Sequence, residues 1–181
     1  MTIVIAGPHG VGKTTVGTAL AARLGCPFHE ELGYLLARTC RPAGCTAEAA
    51  QEGLDRAIFE AELARDEAWN PTQARVVETW HVGNLAYARE RSPSVAAEYL
   101  PRVCAAVARL RPVLLVLDAA DSVLRARQHE PGASAFFAAV GRSCAPIGRE
   151  LGLRSVVPVF TDVLSEDQAV TRLLHTLETI R

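Results

Sequence analysis

Apolar positions in this chain follow two alternating rhythms. Short uncharged runs rich in Val, Ile and Leu are separated by longer stretches in which apolar residues recur every three or four positions. The first rhythm predicts buried strands and the second amphipathic helices. Strands are expected at 2–6, 26–29, 76–77, 112–118 and 155–160. A helix follows the first strand, with Val16, Leu20 and Leu24 on one face and Gly25 as its stop. Others are expected at 32–38, 85–91, 94–109 and 134–150. A long helix capped by Thr46 runs to about Trp69, with Ala50, Leu54, Ile58, Ala61 and Ala68 as its apolar stripe. Glu60, Glu62, Arg65, Asp66 and Glu67 crowd its last turns, and Asn70-Pro71 ends it. Asp121 caps a helix carrying Val123, Leu124, Arg125 and Arg127. Ser165-Glu166-Asp167-Gln168 forms a capping box before Val170, Leu173, Leu174 and Leu177. Loops are expected at 41–44 and at Pro131-Gly132.

Strands and helices therefore alternate throughout. That order predicts an α/β fold, a parallel sheet with helices on both faces. With no repeat, linker or low-complexity segment, residues 1–181 read as one domain. In such sheets ligands bind at the carboxyl ends of the strands.

Composition narrows the partners. A formal net charge of -1 gives no reason to expect a nucleic acid polymer or an anionic membrane surface. No apolar run approaches the roughly 18 residues of a membrane span, and with a strand already at the N-terminus no signal peptide is expected. Five cysteines form no Cys-x-x-Cys pair, which predicts reduced thiols and a cytoplasmic location. Cys40 and Cys45 read as small apolar residues rather than as half of a metal site.

The chemistry begins between the first strand and the first helix. Gly7-Pro8-His9-Gly10-Val11-Gly12-Lys13-Thr14-Thr15 fits Gly-x-x-x-x-Gly-Lys-Thr, the phosphate-binding P-loop. Glycines let backbone N–H groups converge on an anion, and the helix N-terminus adds its positive dipole end. Gly7, His9, Gly10, Val11, Gly12, Lys13, Thr14 and Thr15 are thus expected to cradle ATP. Lys13 would neutralise the β- and γ-phosphates, and the Thr14 hydroxyl would ligate Mg²⁺. Lys13 is the only lysine in a chain whose other long cations are all arginine. A compact ammonium is kept where the two residue types are not interchangeable.

Other strand ends carry carboxylates. Glu30, Glu31 and Glu78 are candidates for the base that a hydroxyl nucleophile needs. Glu78 could also help place Mg²⁺. Asp118 closes an apolar strand as a Walker-B carboxylate would, with a strand-end turn as its alternative role. Arg125 and Arg127 precede His129-Glu130-Pro131-Gly132; a lid at about 125–133 would bring them onto the phosphates. Trp80 and Tyr87 are placed either to pack in the core or to flank a bound base.

Together these motifs resemble P-loop kinases of the thymidylate kinase and deoxynucleoside kinase group over most of the chain. Glu30-Glu31-Leu32-Gly33, followed by Arg38, resembles the segment after that group's second strand, where a catalytic glutamate stands; Glu30 is its first-choice equivalent. Phe59–Trp69 is similar to the helix lining the nucleoside site. Glu78-Thr79-Trp80-His81-Val82-Gly83-Asn84-Leu85-Ala86-Tyr87 resembles the Asp/Glu-Arg-Tyr/Ser segment that continues into Ser-x-x-Ala-Tyr. Leu117-Asp118, then Arg125-x-Arg127-x-x-Glu130, is similar to the fourth strand and the arginine lid. The resemblance implies a three-layer fold on a five-stranded parallel sheet, ATP, Mg²⁺ and a second pocket for a phosphate acceptor. It assigns catalysis to Lys13, Glu30, Arg125 and Arg127, and acceptor binding to Glu31, Arg38, Glu78, Trp80 and Tyr87. Metal binding falls to Thr14, Glu78 and Asp118. The group commonly pairs as dimers. Thr79 stands where the group carries an arginine, so one acceptor clamp is missing.

The expected function is phosphoryl transfer from ATP to a nucleoside, a nucleotide or a similar small hydroxyl compound. The alternative is a regulatory ATPase or a catalytically weak nucleotide-binding protein.

Overall fold

A computed structural model describes residues 1–39, 46–127, 134–153 and 155–180. The expected loop at 41–44, Cys40, Cys45, His129, Glu130 and most of the proposed lid lie outside these described residues.

Five strands form one sheet in the order β2-β3-β1-β4-β5, every neighbouring pair parallel. They are β1 (Thr2–Ala6), β2 (Phe28–His29), β3 (Arg75–Glu78), β4 (Val113–Asp118) and β5 (Val156–Phe160). Among the described residues eight helices connect or follow them: α1 (Lys13–Leu24), α2 (Leu32–Thr39), α3 (Ala47–Glu67), α4 (Trp80–Arg91), α5 (Pro93–Leu110), α6 (Asp121–Arg127), α7 (Ser134–Glu150) and α8 (Glu166–Ile180). Among the described residues no helix is long and apolar enough to cross a membrane.

Strand side chains alternate between faces, and each face has its own core. Val4, Ala6, Val77, Leu114 and Val116 pack against α3, α4, α5 and α7. Ile3, Ile5, Val76, Leu115 and Leu117 pack against α1 and α8. Both faces are covered, which explains why the strands read as continuous apolar runs. Capping follows the sequence: the Thr46 hydroxyl accepts from Ala49 N–H at 3.2 Å, and Gly25 ends α1 at φ 63°. Ser165 and Gln168 bond reciprocally at 2.9 and 3.3 Å. Cys144 is buried, and that burial pushes its thiol up to about 11.

One helix departs from the sequence expectation. α4 begins at Trp80, not at Leu85, directly behind β3. The turn between them is made by two non-glycine residues at positive φ, Thr79 at 65° and Trp80 at 47°. Thr79, with ψ −63°, occupies the strained γ-turn region. Its N–H still bonds the Ile5 carbonyl at 2.8 Å, and its carbonyl accepts from Gly83 N–H at 3.0 Å. Strand ladder and helix ladder thus meet at one residue. Asp121, expected as a cap, is the first residue of α6.

Candidate active site

The loop after β1 has the conformation its glycines permit. Gly7, Gly10 and Gly12 have φ of 145°, 81° and 94°. A Cβ on Gly7 would stand 2.2 Å from the Leu117 carbonyl oxygen, so β4 admits no side chain there. Lys13 opens α1 and is buried. Its ammonium donates to the carbonyls of Gly7 at 3.3 Å and Pro8 at 3.2 Å. Four contacts brace the loop from outside. Val11 is sunk in the α1-side core. The Thr161 hydroxyl donates to the Val11 carbonyl at 3.1 Å, and Thr161 N–H bonds the Asp118 carbonyl at 2.8 Å. On α7, Gly141 allows Pro8 to approach, and Phe137 stacks on His9 with ring centroids 4.9 Å apart.

This loop forms one wall of a cavity of about 730 Å³. Glu30, Glu31 and Tyr34 face it from the β2–α2 side, Leu54 and Ile58 from α3, and Asn84, Tyr87 and Arg91 from α4. Glu78 joins the two halves: the Thr14 hydroxyl donates to its carboxylate oxygens at 2.9 and 3.1 Å. Burial pushes the Glu78 carboxyl up, Lys13 and the Thr14 bond pull it back, and Glu31 and Glu30 raise it further. The Thr79 hydroxyl donates to Glu31 Oε2 at 2.8 Å. Burial, reinforced by the charge of Glu31, holds the Tyr87 phenol well above its ordinary range, so it remains a donor. Arg91 grips buried Asp55 through Nε, at 3.0 and 3.1 Å, and through Nη2.

A buried polar layer supports the Glu30 side of the cavity from behind. Arg65 donates to the Glu30 carbonyl at 3.1 Å and to Glu62 Oε2 at 2.5 Å. Burial pushes Glu62 up and Arg65 pulls it back. Asp66 accepts from Trp80 Nε1 at 2.9 Å and stands 2.7 Å from His81 Nε2. Sequence periodicity read these acids as crowding on a helix end. Asp55, Glu62 and Asp66 are in fact on the inward face of α3. Their spacing of i, i+7 and i+11 was the available signal.

Lys13, Thr14, Thr15, His9, Gly10, Gly12, Glu30, Glu31, Glu78 and Tyr87 thus share one cavity. Other expected site residues stand apart. Trp80 is fully enclosed by core and does not line the cavity. Arg38 is exposed and sits over the Tyr34 ring, 5.6 Å from its centroid, without lining the cavity itself. Asp118 points its carboxylate at the next N–H, that of Ala119, at 2.9 Å, the strand-end turn role. Arg125 lies 3.9 Å from Asp121 on an exposed face of α6, and Arg127 is also exposed; neither lines the cavity. Asn84, Arg91, Asp55 and Thr161 carried no motif that singled them out.

For a hard divalent cation the oxygen pair of Thr14 and Glu78 is a fitting donor set. Mg²⁺ takes one or two protein oxygens and completes its shell with water and phosphate. No cluster of three or more His, Cys, Asp or Glu able to hold a metal occurs among the described residues.

A family model described as an AAA domain matches residues 3–134. Among solved structures, NadR protein in complex with NR superposes with a TM-score of 0.72 at 16% identity, over 99% of this chain and 52% of that one. Deoxyadenosine kinase from M. mycoides gives 0.61 at 10% identity, with both chains covered in full at 100%. Thymidylate kinase from Candida albicans gives 0.61 at 16%, covering 98% and 91%. A comparison with curated proteins finds no match. The matched family segment runs from β1 to the start of α7, and the sheet order is that of a P-loop protein, so the chain belongs to the AAA domain family and has the P-loop kinase fold.

Proposed function

We propose that this protein is a small-molecule kinase, moving the γ-phosphoryl group of ATP to a hydroxyl of a nucleoside, a nucleotide or a compound of similar size. The supporting observation is the shared cavity: Lys13 and Thr14 stand on one side and Glu30 and Glu31 on the other, with Glu78 bonded across to Thr14. The P-loop backbone and Lys13 hold the triphosphate. Thr14 and Glu78 would hold Mg²⁺, which supplies neutralising charge on the phosphate oxygens. Glu30 takes the acceptor's hydroxyl proton as its oxygen bonds to the γ-phosphorus; the β–γ bridging bond breaks and ADP leaves. Glu31, fixed by Thr79, orients the acceptor. ATP as donor and three described cysteines without disulfide partners suit a reducing, cytoplasmic compartment.

The test is ADP formation by the purified chain with and without a panel of hydroxyl compounds. Stimulation by an acceptor that is lost in Lys13→Met and crippled in Glu30→Gln, with ATP binding retained in the latter, supports the proposal. Slow ADP formation that no acceptor stimulates replaces it with a regulatory ATPase.

A further inference from the structure

Resting on that kinase reading, we infer that the acceptor itself carries no phosphate or carboxylate: it is a neutral or cationic polyhydroxyl compound of nucleoside size. The wall opposite the P-loop presents the carboxylates of Glu30 and Glu31, and Glu78 stands between that wall and the loop. Among the described residues the guanidinium lining that wall is Arg91, and it is committed. Its Nε and Nη2 both bond Asp55, which is 2% exposed. The remaining cation, Lys13, sits on the loop carbonyls on the donor side. An anionic acceptor would meet the carboxylates of Glu30 and Glu31 with no uncommitted guanidinium among the described residues lining that wall, and like-charge juxtaposition rejects a ligand strongly.

Hydrogen-bond capacity points the same way. Ionised carboxylates only accept, so they match ligand O–H or N–H groups. The donors facing the ligand are neutral. Asn84 is 5% exposed, lines the cavity, and its Nδ2 has no partner among the described residues. A buried amide left unpaired costs free energy unless a ligand oxygen meets it. Tyr87 keeps its phenolic proton beside Glu31 and Glu78. A ligand with several hydroxyls and one or two neutral acceptor atoms satisfies this set. Tyr34 is exposed and, with Leu54 and Ile58, supplies flat apolar surface for a ring. A positively charged ring would also gain from the Tyr34 face and the carboxylates.

Matched pairs test this on the full chain with Mg·ATP and a coupled readout of ADP. Adenosine, guanosine, cytidine and thymidine are each compared with their 5′-monophosphates. A pyridinium riboside serves as the cationic probe and shikimate as the carboxylate probe. The expected result is an unphosphorylated compound whose kcat/KM exceeds that of its phosphorylated partner by about 100-fold. A monophosphate or shikimate used as well as or better than the uncharged compounds overturns the inference and leaves the kinase reading standing. ADP formation stimulated by none of the panel overturns both. Glu31→Gln keeps an acceptor for the Thr79 hydroxyl but removes one charge. It should narrow the nucleoside-to-monophosphate ratio by about tenfold, and an unchanged ratio overturns the role given to that wall.

Discussion

The Thr14 hydroxyl donates to both carboxylate oxygens of Glu78, across 64 residues of sequence, at 2.9 and 3.1 Å. The contact ties the end of β3 to the first turn of α1 and brings the two oxygen groups suited to Mg²⁺ together. Thr14→Ala and Glu78→Gln should each lower kcat by about 100-fold, and should raise the Mg²⁺ concentration needed for half-maximal ADP formation. Lowered turnover at unchanged metal dependence would remove both from the metal site.

Thr79 holds two tasks in conflict. Its backbone is strained at φ 65°, while its hydroxyl fixes Glu31. Thr79→Gly relieves a strain of about 1–3 kcal/mol and frees Glu31. Its thermal midpoint should rise while acceptor KM rises too. A lower midpoint would mean the side-chain bond outweighs the strain.

Trp80 tests the separation of core from site. Trp80→Phe leaves Asp66 Oδ1 without its indole donor and should cost about 1–3 kcal/mol in denaturant unfolding. KM values for ATP and acceptor should stay at their wild-type levels, because the ring lies outside the cavity.

Gly141→Ala would place a Cβ 2.7 Å from Pro8 Cβ and 3.0 Å from Pro8 N. Overpacking of this kind costs about 1–3 kcal/mol. The P-loop is the part displaced, so KM for ATP should rise with little change for the acceptor.

Glu62 makes stability depend on pH. Burial raises its folded pKa above the ordinary 4.5. In that interval the folded chain keeps a proton that the unfolded chain has lost, so stability falls as pH rises from 4.5 through the raised value. Thermal midpoints across this range should decline less in Glu62→Gln than in wild type. Glu78, also raised by burial, accounts for slope that remains. Parallel curves for the two proteins would contradict the assignment.

The donor half was legible because local rules and tertiary structure agree there. A β-branched run, a glycine-permitted loop and a helix stopped by Gly25 need no distant information. Glu31, Glu78 and Tyr87 were legible as strand-end or helix residues on the ligand-binding edge. What escaped was set by burial across the fold. Core packing was one reading open for Trp80, but nothing local shows that its indole reaches Asp66, since the turn relies on a β-branched residue at positive φ. Nor does the sequence around Arg91 reveal that Asp55, two elements earlier, takes up its charge. Asp118 suits two roles by position, and its carboxylate accepts from the N–H of Ala119 that follows it.

Ile5 pairs with Glu78 in the β1–β3 register, and the consequence is mechanical. The distance between nucleotide loop and carboxylate is measured by a parallel ladder in the middle of the sheet, where slippage would turn every core side chain to the wrong face. The opposite wall of the cavity has no such ruler. It hangs from a strand of two residues at the sheet edge and from helices around it. Side chains on that wall can therefore shift with the helices that carry them, while the loop and the Glu78 carboxylate keep their spacing.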